Sequence, residues 1–226
     1  MASIQPLANK GFTYGSGLIN PDHTKFIVNI PKNASSYLQN WSQQNTWSVA
    51  SAMDFSTTIK ELVVVLRDPE ERWISGFAQY ASGNILHAKR FYSTDTGPGP
   101  DFQYMSATEF IKNYNPLTER LLFDNLELFD DHVWPQQVFF KDLLPTVPRK
   151  YFYINNEFDQ CVQQYLNFSS PGADLDRNDS NNDLDKKLIK QFINSRLNQV
   201  TELRTIIKKA YAEDYQLIEQ IKNESR

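Results

Sequence analysis

Leu62-Val63-Val64-Val65-Leu66-Arg67-Asp68-Pro69-Glu70-Glu71-Arg72-Trp73-Ile74-Ser75 is the stretch on which the fold turns. Its first five residues are almost continuously apolar, as a strand buried on both faces of a parallel sheet requires. Asp68 then suits a helix N-cap and Pro69 the first helical position. Glu70 and Glu71 sit where negative charge is favoured by the helix dipole. The stretch therefore predicts a strand followed by a helix reaching about Tyr80. Upstream, Lys25-Phe26-Ile27-Val28-Asn29-Ile30 reads as a strand ending at Pro31, with a helical pattern from Ser35 to Trp41 or beyond. Downstream, Lys150-Tyr151-Phe152-Tyr153-Ile154 is a third candidate strand. Strands alternating with helices predict an α/β fold with a mainly parallel central sheet flanked by helices.

From Leu184 onward, Leu184, Leu188 and Phe192, then Leu203, Ile207 and Tyr211, recur at helical spacing, predicting two or more helices packed on the sheet. The stretches 93–101 and 169–183 are dense in turn residues and read as loops. No repeat or long linker divides the chain, so a single domain over residues 1–226 is expected, long enough to bury a substantial core. A net charge of −4 argues against general nucleic-acid binding, though a few local cations can still dominate one pocket. The lone Cys161 permits no intrachain disulfide, which suits a reducing compartment. No signal peptide or membrane span is legible, so a cytoplasmic location is expected. With three histidines (His23, His87, His132) and neither HExxH nor CxxC, a dedicated metal site is not expected.

Two segments carry chemistry. In the first, strand 25–30 runs into Pro31-Lys32-Asn33-Ala34-Ser35-Ser36-Tyr37-Leu38. A tight turn from strand to helix leaves backbone N–H groups pointing one way, and the helix dipole makes the place attractive to anions. Lys32 adds a charge, Ser35 and Ser36 add hydroxyls, and small side chains let an oxyanion approach. The motif GxxxxGK[ST] is absent, which disfavours an ordinary nucleoside-triphosphate kinase. On these residues alone a second reading stays open, in which Ser35 caps a helix and Lys32 is solvated.

The second is the opening stretch itself. Helix capping accounts for Asp68, Pro69, Glu70 and Glu71, but not for Arg67 at the carboxyl end of a buried strand, where open α/β sheets gather ligands. Nor does it account for Ser75, three residues after Arg72 on the same helix face. An arginine fork with a hydroxyl suits a phosphate.

Taken together, the two segments resemble the sulfotransferases that use 3′-phosphoadenosine-5′-phosphosulfate (PAPS). Lys32 to Leu38 resembles that family's 5′-phosphosulfate loop, and Arg67-Asp68-Pro69 with Ser75 resembles its 3′-phosphate motif. More weakly, His132-Val133-Trp134-Pro135-Gln136 is similar to the HxxPQ element of carbohydrate sulfotransferases of the membrane-bound Golgi type and their bacterial relatives. Tyr153 to Phe158, Asn178-x-Ser180 and Tyr211-x-Glu213-Asp214-Tyr215 are weaker likenesses. Ala34-Ser35-Ser36 stands where many members have Gly-Thr pairs. The resemblance implies a P-loop-like fold, no metal requirement, and transfer of a sulfuryl group to a hydroxyl of a carbohydrate or other small acceptor, leaving 3′-phosphoadenosine-5′-phosphate (PAP).

On that reading, Lys32 stabilises the departing phosphate. Asn33, Ala34, Ser35 and Ser36 hold the 5′-phosphosulfate, and Arg67 and Ser75 hold the 3′-phosphate. His132 is the first candidate for general base and His87 the second; a purely structural His132 stays open. Arg72, Lys89 and Arg90 are candidate contacts to an acidic acceptor, and Tyr80, Phe91 and Tyr92 candidate stacking faces. The alternatives are a non-catalytic PAP-binding or PAPS-binding module and a nucleotide-dependent small-molecule kinase.

Overall fold

The computed structural model describes residues 15–82, 106–126, 131–170 and 184–224. The three strands read from the sequence lie side by side in parallel as β2 (Lys25–Val28), β4 (Glu61–Leu66) and β5 (Arg149–Tyr153). Leu62 to Leu66 are all buried, each side chain contributing roughly 1.5–3 kcal/mol of transfer free energy. Two further strands, β1 (Ser16–Ile19) and β3 (Ser48–Ser51), complete a five-stranded sheet of order β3-β1-β2-β4-β5.

The sheet is mixed, so the expectation of a mainly parallel one holds for β2, β4 and β5 alone: β1 is antiparallel to both β2 and β3. A short turn joins β1 to β2, and a parallel pair needs a far longer crossover. Asn20 Oδ1 accepts from the Lys25 N–H at 2.8 Å and Asp22 Oδ1 from the Thr24 N–H at 3.1 Å, closing that turn.

Helices α1 (Ser35–Gln44) and α2 (Pro69–Tyr80) follow β2 and β4 as predicted. Asp68 caps α2 by accepting from the Glu71 N–H at 3.0 Å, and Pro69 opens it. The sequence reading passed over α3 (Ala107–Asn113), α4 (Pro116–Phe123) and α5 (Phe158–Leu166). The region from Leu184 forms α6 (Leu184–Gln199), α7 (Thr201–Ala210) and α8 (Ala212–Glu224).

Alternating strand residues divide the core by face. Leu18, Ile27, Val63 and Val65 pack with Tyr37, Leu38 and Trp41 of α1 and Phe158 and Val162 of α5. Phe26, Val28, Leu62 and Val64 pack on the other face with Phe139, Phe140 and Ile218 of α8. A third cluster joins Trp73 and Phe77 of α2 to α3, α4, α6 and α7. Both sheet faces are thus covered, and the strand ends are left to carry chemistry. Among the described residues no helix is long and apolar enough to cross a membrane.

Candidate functional site

The loop between β2 and α1 has an uncommon backbone. Lys32 (φ 67°) and Ala34 (φ 58°) are both left-handed, and Asn33 between them is not. The N–H of Asn33 is taken by the Ile30 carbonyl, and each left-handed residue other than glycine costs about 1–2 kcal/mol. Helix α1 starts with no side-chain cap. Its first-turn N–H groups, which no helix satisfies internally, therefore remain directed out of its N-terminus. Ser35 is half-buried and Ser36 exposed there.

Arg67 begins the loop after β4 and reaches across to this one. Its Nη1 donates to the Lys32 carbonyl at 3.3 Å, and its Nε lies 3.4 Å from Glu71 Oε2. The Lys32 ammonium donates to Gln79 Oε1 at 3.2 Å. Positions 71, 75 and 79 succeed one another on one face of α2, so Ser75 stands on the stripe between these two contacts. It is 7% exposed. The structure thus brings Lys32, Arg67 and the Ser75 face of α2 together.

Asn33 has a different part from the one the resemblance implies. It is 1% exposed, and its Nδ2 donates to the Val65 carbonyl at 2.7 Å and to Gln136 Oε1 at 2.6 Å. Its side chain faces the protein, and its own N–H donates to the Ile30 carbonyl at 3.1 Å.

Arg72 is likewise turned inward, which corrects its reading as a contact for an acidic acceptor. Only 1% exposed, it donates to the carbonyls of Pro31 (3.0 Å), Trp134 and Asp131 (3.4 Å). Burial pushes its pKa down to about 10, although Asp214 opposes that shift. Asp214 on α8 is itself buried and accepts from the N–H groups of Gln136 (2.7 Å) and Gln137 (3.1 Å). Burial raises its carboxyl above the usual range despite those bonds and the Arg72 charge.

These contacts fix the segment 131–137 beside α2. Tyr211 donates its hydroxyl to the Val133 carbonyl at 2.5 Å. His132 is half-buried, with Nδ1 3.1 Å from Asp131 Oδ1. A carboxylate in that position favours a proton on Nδ1 and the basic lone pair on Nε2. Gln136, wholly buried, bonds both backbone groups of Arg67: Oε1 accepts from its N–H and Nε2 donates to its carbonyl, each at 2.9 Å.

Three residues of this assembly escaped assignment from the sequence. Gln136 and Asp214 stand inside segments singled out for family likeness, but only the fold shows what they touch. Lys190 of α6 comes within electrostatic reach of Arg67; burial, then that like charge and Lys186, lowers its pKa. Tyr80 packs against the helical core. His87, Lys89, Arg90, Phe91, Tyr92, Asn178 and Ser180 lie outside the described residues.

No family model, no curated protein and no solved structure matches this chain.

Proposed function

We propose that this chain is a PAPS-dependent sulfotransferase with a P-loop-like nucleotide site, acting on a hydroxyl of a carbohydrate or other small hydroxylated acceptor. The observation that carries the reading is the meeting of its two motifs, with the Arg67 guanidinium on the carbonyl of Lys32. A lysine, an arginine, three serine hydroxyls and a helix N-terminus without a side-chain cap form a donor-rich set, which fits a ligand with two separated anionic groups. A metal cluster would need carboxylate, imidazole or thiolate ligands; this set instead matches phosphate and sulfate oxygens.

PAPS supplies a sulfuryl group already activated by its bond to the 5′-phosphate. On this reading Lys32 neutralises charge growing on that phosphate, from a stem fixed by a left-handed backbone. The N–H groups at the start of α1, with Ser35 and Ser36, hold the 5′ end. Arg67, with Ser75 on the neighbouring turn, holds the 3′-phosphate and so separates PAPS from nucleotides lacking it. His132, oriented by Asp131, takes the acceptor's proton on Nε2.

A nucleotide panel tests the proposal. PAP should raise the thermal midpoint far more than AMP or ADP at equal concentration, because native-state ligands stabilise by mass action. Equal shifts from all three would remove the assignment of Arg67 and Ser75.

A further inference from the structure

We infer that Gln136 is the positioning residue that locks the β2–α1 loop and the end of β4 into one unit; the inference rests on the reading of those two elements as the ligand-holding groups. The backbone N–H and C=O of Arg67 cannot exchange places, so they dictate which end of the Gln136 amide is which. Oε1 must face the Arg67 N–H and Nε2 the Arg67 carbonyl, as observed at 2.9 Å each. Oε1 is then an acceptor presented to Asn33, which meets it with Nδ2 at 2.6 Å and gives the other hydrogen to the Val65 carbonyl at 2.7 Å. Flipping either amide would set acceptor against acceptor or donor against donor. With Gln136 at 0% and Asn33 at 1% exposure, water cannot stand in for a lost partner.

Gln136 thereby pairs with β4 one residue past the strand's end, as a neighbouring strand would. Its reach to Asn33 grips the loop at the residue between the two left-handed ones. Such a backbone relaxes unless its surroundings over-determine it, and the grip at Asn33 does so. The direction of the Lys32 stem and of the N–H groups opening α1 therefore depends on a side chain about a hundred residues away. Gln136 is itself fixed through its N–H by Asp214 at 2.7 Å.

The test is site-resolved hydrogen exchange on the full chain without ligand, with Gln136→Met, Asn33→Ala and the double variant. The reporters are the bonded amides of Asn33 (to Ile30) and Leu38 (to Ala34), with Ala52 (to Gly15) as the distant control. Each single variant should speed exchange at the reporters at least tenfold. The double should be no faster than the faster single, and the control should not move. Unchanged reporters, or a uniform rise that includes Ala52, would overturn the inference. Gln136→Met strands both backbone groups of Arg67; if it fails to fold, Asn33→Ala, which leaves that pairing whole, decides alone. A parallel titration with PAP should show at least tenfold weaker binding in each single variant and no further loss in the double. Unchanged PAP affinity in the folded variants would also overturn it. Wild-type protein that ignores PAP would refute the nucleotide assignment while leaving the exchange result to judge the lock.

Discussion

The carbonyl of His132 occupies the space a side chain at Gly76 would need: a Cβ built there falls far inside contact distance of that oxygen. Helix α2 and the segment bearing the candidate base thus touch backbone to backbone. Gly76→Ala should cost about 1–3 kcal/mol, because a main-chain carbonyl cannot swing aside as a side-chain tip can. Urea denaturation should show a lower midpoint with an unchanged slope. A midpoint equal to that of the wild type would mean that segment 131–134 yields easily.

Ala34 invites the opposite experiment. Its left-handed backbone is one that glycine adopts without steric cost. Relief of about 1–2 kcal/mol of strain outweighs or balances the roughly 0.4–1 kcal/mol lost to a freer unfolded chain. Ala34→Gly should therefore leave stability unchanged or raise it by up to about 1.5 kcal/mol. Ala78→Gly, in the last turn of α2 and buried, should lower it by about 1 kcal/mol or more. A drop for Ala34→Gly comparable to the Ala78 variant would contradict the strain argument.

The proposed division of labour predicts distinct kinetic signatures. Arg67→Ala should weaken PAP by about 1.5–3 kcal/mol, the worth of a charged hydrogen bond. Lys32→Ala should depress turnover more than nucleotide affinity, since its best contact forms as charge develops. His132→Ala should lower turnover on the order of 10²-fold with PAP affinity little changed. Kinetics and calorimetry on the three variants check the pattern. Intact turnover in Lys32→Ala would remove the leaving-group role, and intact turnover in His132→Ala would return it to structural duty.

Asp214 makes a pH prediction whose sign is set by its burial. Its folded pKa lies above the unfolded value, so the native state holds the proton more tightly. The associated stability is present in full below the unfolded pKa, near 4, and is lost as pH rises through the folded value. Asp214→Asn lacks this dependence. The stability of the wild type relative to that variant should increase as pH falls from 7 to 4. Parallel stability curves for the two proteins across that range would show that Asp214 titrates normally.

How much was legible beforehand differs between parts of the molecule. β4 announced itself because both its faces are buried, which forces an unbroken apolar run. Asp68 and Pro69 marked α2 because capping is local chemistry, complete within four residues. β1 (SGLI) and β3 (SVAS) are half or more Ser, Gly and Ala and lack the apolar run of the equally short β2 (KFIV), and their pairing is settled by a turn rather than by composition. Without them the sheet read as mainly parallel. In the candidate site, the meeting of Lys32 and Arg67 was legible because each follows a strand of one parallel pair, which sets both loops at the same edge of the sheet. Asn33 and Arg72 looked equally available, yet their partners, Gln136 and the carbonyls of Asp131 and Trp134, lie about sixty to a hundred residues away. Spacing along a chain does not record which polar groups the fold turns inward.

The bonds from Tyr211 and Asp214 to residues 133–137 also bear on when the site comes into being during synthesis. Domains form as the chain emerges, and contacts between distant residues come last. The β2–α1 loop is made early, but the carboxylate that fixes Gln136, on Asp214, leaves the ribosome about 180 residues after it. Until then the segment holding the loop has no anchor on α8. A growing chain can assemble β1 to β4 and their helices well before it can bind the ligand proposed here. Competence would arrive after the strands are in place, when α8 docks.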